Sequence, residues 1–408
     1  MTAQENIFFA LIRSELSQQK LTEQEKKLLF SQISKHDWEN LMKLSAKHMM
    51  APLLFESMQN NQIDCPEMVG HYFQQSAFHT SMCYYRFVSL TAELFELFGQ
   101  EKITCYLLKG AGLSVWYPKE EIRSFGDIDI YVPDRKQFER ACQILEKNGH
   151  QKREDLSDYH VSYDYRGGSA QCEVEMHWKL ATAFEPEFDR RLQQVYTDGL
   201  KERMITYVYP LGIKVPVLPD TLNAVYLLQH MLQHFMAAGF GVKLFCDWTA
   251  FWNREKKNVD ESCFLEAVKS LHLEGFLYAV TGVCQKYFGL RRERCTWYRE
   301  EKVSDELIDE LLLDVLDGGE FGKSDEARML ITTQKPGFRT NLHELHRQMK
   351  KRFPKKSHYQ ILWPILWFAT GAIFMYNNKT IRKVSTKEIL SSNQKRNRLA
   401  KQLGIFEK

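Results

Sequence analysis

The sequence predicts an α+β protein in which a small mixed sheet lies between an N-terminal and a C-terminal helical lobe. Two changes in the hydrophobic period support this prediction. Apolar residues recur at helical spacing up to about residue 98, short alternating segments follow, and the helical period returns after Pro216 and Pro219. We therefore predict four parts: an N-terminal helical lobe (1–98), an α/β core (99–215), a C-terminal helical lobe (216–340) and a basic tail (341–408).

Length and composition are those of a globular protein, but the charge is uneven. The 408 residues allow two or three domains, and 44% of them are hydrophobic. The net charge is +3, yet residues 343–408 hold 15 lysines and arginines against three acidic residues, which leaves the rest of the chain acidic. This asymmetry predicts a polyanionic partner, either RNA or an anionic membrane surface, with a solvated basic helix pair as the alternative.

The cysteines and the apolar segments predict the cellular location of the protein. Nine cysteines are scattered without a CxxC pair, which favours a reducing compartment over a disulfide scaffold. The first residues lack the basic region of a signal peptide. Residues 361–376 are apolar, but Pro364 interrupts them and they fall short of the roughly 20 residues that span a bilayer. We expect a cytoplasmic protein, with this segment as a buried or interfacial helix that could hold it at the periphery of a membrane.

The first part of the chain is predicted to form helices, followed by the first strand of the core. Segments 37–59 and 87–101 both place apolar residues on one helical face. Residues 103–108, "ITCYLL", are short, apolar and partly β-branched, and they predict a buried strand. Gly110 and Gly112 then predict a turn into a short helix.

The centre of the core alternates strands and a helix. Residues 127–132, "DIDIYV", alternate acid and aliphatic, as a strand with one polar face does. Asp134 is the predicted N-cap of the next helix and Gly149 the residue after its end. Residues 159–166 and 170–180 then predict two strands joined at Gly167–Gly168.

The second helical lobe and the tail follow. Residues 221–252 predict two helices that are broken near Gly239–Gly241, and more helix follows to about residue 316. His230 and His234 are four residues apart on the first of these helices, a spacing that can bind zinc, but no third ligand is evident nearby.

Two aspartates on one strand face raise the question of a counter-ion. Asp127 and Asp129 point the same way and repel each other unless a cation lies between them. Mg²⁺ prefers such oxygen ligands, and a further carboxylate on a neighbouring strand would complete a site for phosphoryl transfer. Glu175 is the candidate and Glu173, on the same strand face, is the alternative. The competing interpretation is the solvated face of an edge strand.

Residues around the aspartates suit a triphosphate. Lys109 would add a positive charge, and the Gly110 backbone would approach a phosphate closely. Arg123 lies four residues before Asp127 and would reach the same site or pair with the aspartates.

The ordered set resembles the uncharacterised nucleotidyltransferase family of bacteria, which has the DNA polymerase β-like fold, and more distantly the AbiEii-type toxin nucleotidyltransferases. The matching stretches are "LLKGAGL" (107–113), Tyr117, "IRSFGDIDIYV" (122–132), "VEMHWKL" (174–180), the upstream Ala46, His48 and 52–54, and "QHMLQHFMAAGFGVKLFCDW" (229–248).

The resemblance implies a role for each candidate residue. Asp127, Asp129 and Glu175 would bind Mg²⁺, with Mn²⁺ as the alternative ion, and Glu175 is selected over Glu173 because it stands two residues before a His-Trp pair. The nucleotide-binding residues would be Lys109, Gly110, Arg123, His234, Lys243 and Asp247. An i,i+4 ion pair of Lys243 with Asp247 is the structural alternative. His177 would form a wall of the site, and His48 is interpreted as a packing residue.

The implied function is transfer of a nucleoside monophosphate from a nucleoside triphosphate to an acceptor hydroxyl, with release of pyrophosphate. The acceptor, whether protein, small molecule or RNA, is left open. The alternative is a non-catalytic nucleotide-binding or scaffold protein on the same fold, and a weaker one is an RNA-binding adaptor led by the basic tail.

Overall fold

The computed structural model combines a seven-stranded mixed sheet with one group of helices before it and another after it in the sequence, which confirms the predicted α+β class. The sheet and helices are built from the residues that the structure describes, which are 1–153, 157, 159–167, 170–182, 186–201, 204–208, 212–237, 239–255, 258–319, 342, 345–346, 348–350, 352–354, 356–380 and 386–405. The predicted domain boundary at 340/341 and the predicted connection at Gly168 lie outside these residues.

The N-terminal group of helices starts each of its first three members with a capping box. In α1 the Thr2 side chain accepts from the Glu5 N–H while the Glu5 carboxylate accepts from the Thr2 N–H, and the next two helices repeat the arrangement. These caps fix where the helices begin. The group consists of α1 (Ala3–Ser17), α2 (Glu23–Phe30), α3 (Lys35–Lys47), α4 (Ala51–Asn60) and α5 (Glu67–Gln100).

Segment 37–59 forms parts of two helices, although its apolar residues follow helical spacing throughout. α3 ends at Lys47 with His48 as its C-cap, and Met49 takes a left-handed backbone conformation with φ 57°. α4 then begins with Pro52 in its first turn, a position that proline favours. Pro52 was the available sequence signal for this break, because Met49 carries none of the usual turn chemistry.

The sheet has the strand order β3-β4-β5-β2-β1-β7-β6. β2 pairs with β5 in parallel and β1 pairs with β7 in parallel, while the other neighbours are antiparallel. The strands are β1 (Tyr106–Leu107), β2 (Asp127–Tyr131), β3 (Gln151–Lys152), β4 (His160–Gly167), β5 (Ala170–His177), β6 (Ile205–Val208) and β7 (Lys214–Val217). The core helices are α6 (Lys109–Ser114), α7 (Arg135–Lys147) and α8 (Pro186–Gly199).

Several core elements differ from the sequence prediction in extent. The strand predicted at 103–108 pairs only at Tyr106–Leu107, because the Ile103 N–H is used by the end of α5 through Phe98 O. The short strands β3, β6 and β7 were not predicted. Pro216 lies within β7, and proline normally argues against a paired strand because it lacks a donor. α7 agrees with the prediction: Asp134 caps its start, and Gly149 follows its end with φ 82°.

The C-terminal helices follow the sheet in the sequence and pack directly on α1. The predicted break near Gly239–Gly241 is confirmed, since α9 ends at Met236, α10 begins at Lys243, and Gly239 has φ 113°. The helices of this C-terminal group are α9 (Asp220–Met236), α10 (Lys243–Asn253), α11 (Glu261–Ser270), α12 (Glu274–Tyr287), α13 (Asp305–Gly318), α14 (Trp363–Thr380) and α15 (Thr386–Gln402).

The last helix of the basic segment is built into this lobe. α15 packs on α13, and its Arg396 is 1% exposed. The Arg396 guanidinium donates to the carbonyl oxygens of Phe235 and Ala237 at the end of α9. Over the described residues, none of the helices combines the length and apolar content needed to cross a membrane.

Candidate active site

The register of β2 and β5 brings the predicted acids together. The two strands run in parallel, with Asp127 beside Glu173 and Asp129 beside Glu175. The intervening Ile128, Ile130, Val174 and Met176 are buried at 1% exposure or less. Because side chains alternate along a strand, burial of the aliphatic set turns all of these acids to the opposite face.

Three of the acids form a cluster that can hold a metal ion. One carboxylate oxygen each of Asp127, Asp129 and Glu175 lies within 4.8 Å of the others. Asp129 is 1% exposed, and its Oδ2 is buried with no hydrogen-bond partner among the described residues. Buried carboxylate oxygens without a donor are rare because desolvation is costly. The donor set, entirely carboxylate oxygen, fits Mg²⁺.

Lys109 supplies positive charge to this cluster. Its Nζ lies 3.0 Å from Asp129 Oδ1 and 3.9 Å from Glu175 Oε2. Burial alone would lower the pKa of Lys109, but the charges of Asp129 and Asp127 raise it well above its ordinary value. Burial and the neighbouring Asp129 raise the pKa of Asp127. The Lys109 ammonium group therefore lies between carboxylates, in the negative potential that would also attract a metal cation.

Two histidines extend the cluster on its far side. His177 Nε2 lies 3.0 Å from Asp129 Oδ1 and 3.3 Å from Glu175 Oε2, and His160 Nε2 lies 3.8 Å from Glu175 Oε1. Burial alone would lower the pKa of His177, but its hydrogen bonds with Asp129 and then Glu175 raise it. Burial alone would raise the pKa of Glu175, but the hydrogen bond with His177 and then the charge of Lys109 lower it. His160, Glu175 and His177 form a second group that could hold a metal ion.

Sequence reasoning named His177 but missed His160. The two imidazoles meet because His160 on β4 pairs directly with His177 on antiparallel β5. The hairpin pattern of the sequence predicted both strands, but a pairing register was needed to place His160 at the site.

The structure also separates the two candidate glutamates. Glu173 makes a 2.6 Å ion pair with Arg153. Glu175 joins Asp127 and Asp129 in the metal-competent group. Glu175 therefore stays the predicted third acid of the site.

Gly110 forms the turn beside the aspartates. It has φ 43° and ψ −117°, and a Cβ at this position would lie 3.3 Å from the Asp127 carbonyl oxygen. Glycine is required here for both its backbone conformation and its close approach to β2. The Arg123 guanidinium donates to the Gly110 carbonyl at 2.9 Å and so holds the turn in place.

Arg123 and Asp247 meet in a buried ion pair. Arg123 Nε donates to Asp247 Oδ1 at 2.7 Å, and its NH2 group donates to Oδ2 at 2.8 Å. The Tyr117 hydroxyl donates to the same carboxylate at 2.7 Å. Arg123 therefore directs its N–H groups at Asp247 and at the Gly110 carbonyl.

The C-terminal helices place three further residues next to the site: His230 and His234 on α9, and Lys243 at the start of α10. Burial, followed by the charges of Lys109 and Lys243, lowers the pKa of His234 to about 3. Burial and His234 lower the pKa of His230 well below its ordinary value, and the two rings are 4.4 Å apart. In the described part of the chain, neither histidine belongs to a group of side chains that could hold a metal.

Comparison with known proteins agrees with the sequence resemblance. Neither the curated proteins nor the solved structures gave a significant match. The model of one protein family, described as "Uncharacterised nucleotidyltransferase", matches residues 34–289, which is more than half of the chain and includes the acidic cluster, the Gly110 turn, α9 and α10. The chain therefore belongs to the uncharacterised nucleotidyltransferase family and is a nucleotidyltransferase enzyme.

Proposed function

We propose that the protein is a Mg²⁺-dependent nucleotidyltransferase that moves a nucleoside monophosphate from a nucleoside triphosphate to an acceptor hydroxyl. The observation that carries this proposal is the convergence of Asp127, Asp129 and Glu175 from adjacent parallel strands. Family membership supplies the reaction class, and the cluster supplies the ligands that this class needs.

Asp127, Asp129 and Glu175 would hold the metal ion, with Mn²⁺ as the alternative to Mg²⁺. When bound, a divalent cation neutralises charge on the reacting phosphate and on the leaving pyrophosphate. The unpartnered Asp129 Oδ2 is the oxygen that most needs such a ligand. His177 keeps the Asp129 and Glu175 carboxylates in place through its Nε2 contacts.

Lys109 and the Gly110 turn would bind the triphosphate. Lys109 is within reach of both sides of the cluster, so its ammonium group can move from Asp129 to a phosphate oxygen. Arg123 and Asp247 act through the turn, because Arg123 holds the Gly110 carbonyl while its other donors bind Asp247. His234 and Lys243 would line the opposite wall, beside the base or the phosphates.

Glu175 would accept the proton of the acceptor hydroxyl. The acceptor oxygen then forms a bond to the α-phosphorus, the bond from this phosphorus to the bridging oxygen breaks, and pyrophosphate leaves. Protein, small-molecule and RNA hydroxyls all remain candidate acceptors for this step.

Incubation with each α-labelled nucleoside triphosphate and Mg²⁺ tests the reaction. We expect label on the protein itself, on RNA or on components of a cell lysate, together with release of pyrophosphate. Asp127→Asn should abolish labelling while the protein remains folded. Asp164→Asn is the matched control and should retain labelling. Asp164 on β4 lies beside Glu173, on the same sheet face as the acidic cluster, but its side chain pairs with Arg153.

The competing function is a non-catalytic nucleotide-binding or scaffold protein. The position of Lys109 between Asp129 and Glu175 is the observation that favours it, because an ion pair can satisfy these carboxylates without a metal. Nucleotide binding without release of pyrophosphate, unchanged in Asp127→Asn, would replace the transferase proposal with this one.

A further inference from the structure

One side of α14 and of the turn before it exposes a stripe of large apolar side chains. Ile361 is 87% exposed, Ile365 67% and Phe368 81%, and Ala372 is also exposed. Their spacings of four, three and four residues keep them on one side of the helix. Contiguous apolar surface of this kind is uncommon on monomeric proteins and marks a site of interaction.

The opposite side of α14 is already used by the protein. Leu366 and Thr370 are 7% and 5% exposed. The Trp367 indole donates to His346 Nδ1 at 3.2 Å, and the Trp363 ring lies 4.4 Å from the His346 ring. The helix is thus anchored by one side and presents a second apolar side outward.

Basic residues surround this helix in the sequence. Between Glu344 and Glu388 there is no acidic residue. The same interval contains ten lysines and arginines: Arg347, Lys350, Lys351, Arg352, Lys355 and Lys356 before α14, and Lys379, Arg382, Lys383 and Lys387 at and after its end. An apolar segment that basic residues precede and follow in the sequence is complementary to an anionic lipid surface.

We propose that α14 lies in the interface of an anionic phospholipid bilayer, with the stripe of Ile361, Ile365, Phe368 and Ala372 inserted between headgroups and acyl chains. The exposed Lys350, Arg352 and Lys356, which precede the helix, bind the headgroup phosphates. This surface anchors the enzyme independently of the acidic cluster, so it does not depend on the proposed reaction.

The chemistry of the stripe favours lipid over RNA. Surfaces that bind single-stranded RNA interleave aromatic stacking residues with basic ones, whereas this stripe is mainly aliphatic and its basic residues lie beyond its ends. Burial of isoleucine and phenylalanine in an acyl-chain region is favourable in itself, while a phosphate backbone offers these side chains no partner.

Vesicle sedimentation of the full-length protein tests the proposal. Wild type should sediment with vesicles of equal parts phosphatidylcholine and phosphatidylglycerol, less so at high salt, and weakly with phosphatidylcholine alone. The double variant Ile365→Ser/Phe368→Ser should bind the anionic vesicles about tenfold more weakly or worse. Both side chains are exposed, so thermal melting should show that this variant is folded.

Phe78→Ser is the matched control, because Phe78 is an exposed phenylalanine (69%) on α5, and it should bind vesicles like wild type. Absence of wild-type binding, or equal binding by the double variant, would overturn the proposal. A wild-type dimer in light scattering that the double variant abolishes would assign the stripe to a second copy. RNA retention lost in the double variant would assign it to nucleic acid.

Discussion

Arg123 and Asp247 form a buried two-point ion pair that joins the α/β core to α10. The guanidinium and the carboxylate are 4% and 1% exposed, and both nitrogen–oxygen distances are below 3 Å. The same guanidinium holds the Gly110 carbonyl, so a single side chain links the turn beside Asp127 to the helix that begins with Lys243. The two walls of the site are fixed relative to each other through this contact.

Removing the charge of Asp247 should destabilise the protein strongly. Asp247→Asn leaves the Arg123 guanidinium buried without its counter-ion, and we expect the free energy of unfolding to fall by about 3–5 kcal/mol. Urea denaturation measures this change. Arg292→Gln is the control, because the Arg292–Glu300 pair is exposed and should contribute no more than about 1 kcal/mol. Equal losses in the two variants would contradict the structural role of the buried pair.

Glu175→Gln should lower nucleotidyl transfer by about 100-fold or more, since it removes one anionic oxygen ligand from the cluster. Glu173→Gln should change the rate by no more than about fivefold, because a partly exposed ion pair such as Glu173–Arg153 contributes at most about 1 kcal/mol. The initial rate of pyrophosphate release measures both effects. The reverse ranking of the two variants would show that Glu173 is the third acid.

Lys109→Met should increase the response of the protein to divalent cations in the absence of nucleotide. The variant loses the ammonium group that lies 3.0 Å from Asp129, so the carboxylates repel one another more and gain more from a bound cation. We expect a lower melting temperature without metal and a larger upward shift with Mn²⁺ than in wild type.

Lys179→Met is the control for this experiment, because Lys179 is partly exposed and its ion-pair partner is Asp189 rather than an acid of the cluster. It should show the wild-type shift. If Lys109→Met also shows only that shift, Lys109 does not compete with cations for the site.

Arg396→Ala should destabilise the protein although it lies far along the sequence from the site. The substitution removes the positive charge beside the buried Asp314 and the donors to the Phe235 and Ala237 carbonyls. We expect a loss of about 3–5 kcal/mol in urea denaturation. Arg398→Ala, two residues later and 72% exposed, should cost no more than about 1 kcal/mol. A small effect at both positions would mean that α15 does not support the end of α9.

His48 should make stability depend on pH. Burial, with a contribution from Lys47, lowers its pKa in the folded protein to about 3, whereas the unfolded chain binds the proton near pH 6.5. The unfolded state therefore binds more protons between these values, so this contribution to stability is present above pH 6.5 and is lost as the pH falls.

The variant His48→Gln isolates this effect because glutamine does not titrate. Between about pH 7.5 and about pH 5, wild type should lose about 2 kcal/mol more unfolding free energy than the variant. Parallel urea titrations at the two pH values measure the difference. An equal loss in both proteins would show that His48 binds its proton as readily in the folded protein as in the unfolded chain.

Strand and helix periods determined much of the fold and the identity of the acids. The alternation of "DIDIYV" placed Asp127 and Asp129 on one face because a strand has a period of two, and the aliphatic residues between them had to be buried. The same argument placed Glu173 and Glu175 on one face of β5. The short strands β6 and β7 escaped prediction because Pro216 masks the pattern of β7 and because β7 joins the sheet through β1, which lies about 110 residues earlier in the chain.

The sequence by itself determined which side chains carry the charge; only the tertiary structure decided which of them meet. Lys109 contacts Asp129, His160 reaches Glu175, and Arg123 turns to Asp247, which is 124 residues away. The physical reason is that contacts within a strand or helix follow from its own period, whereas contacts between elements depend on register and packing, which neighbouring residues in the chain do not specify.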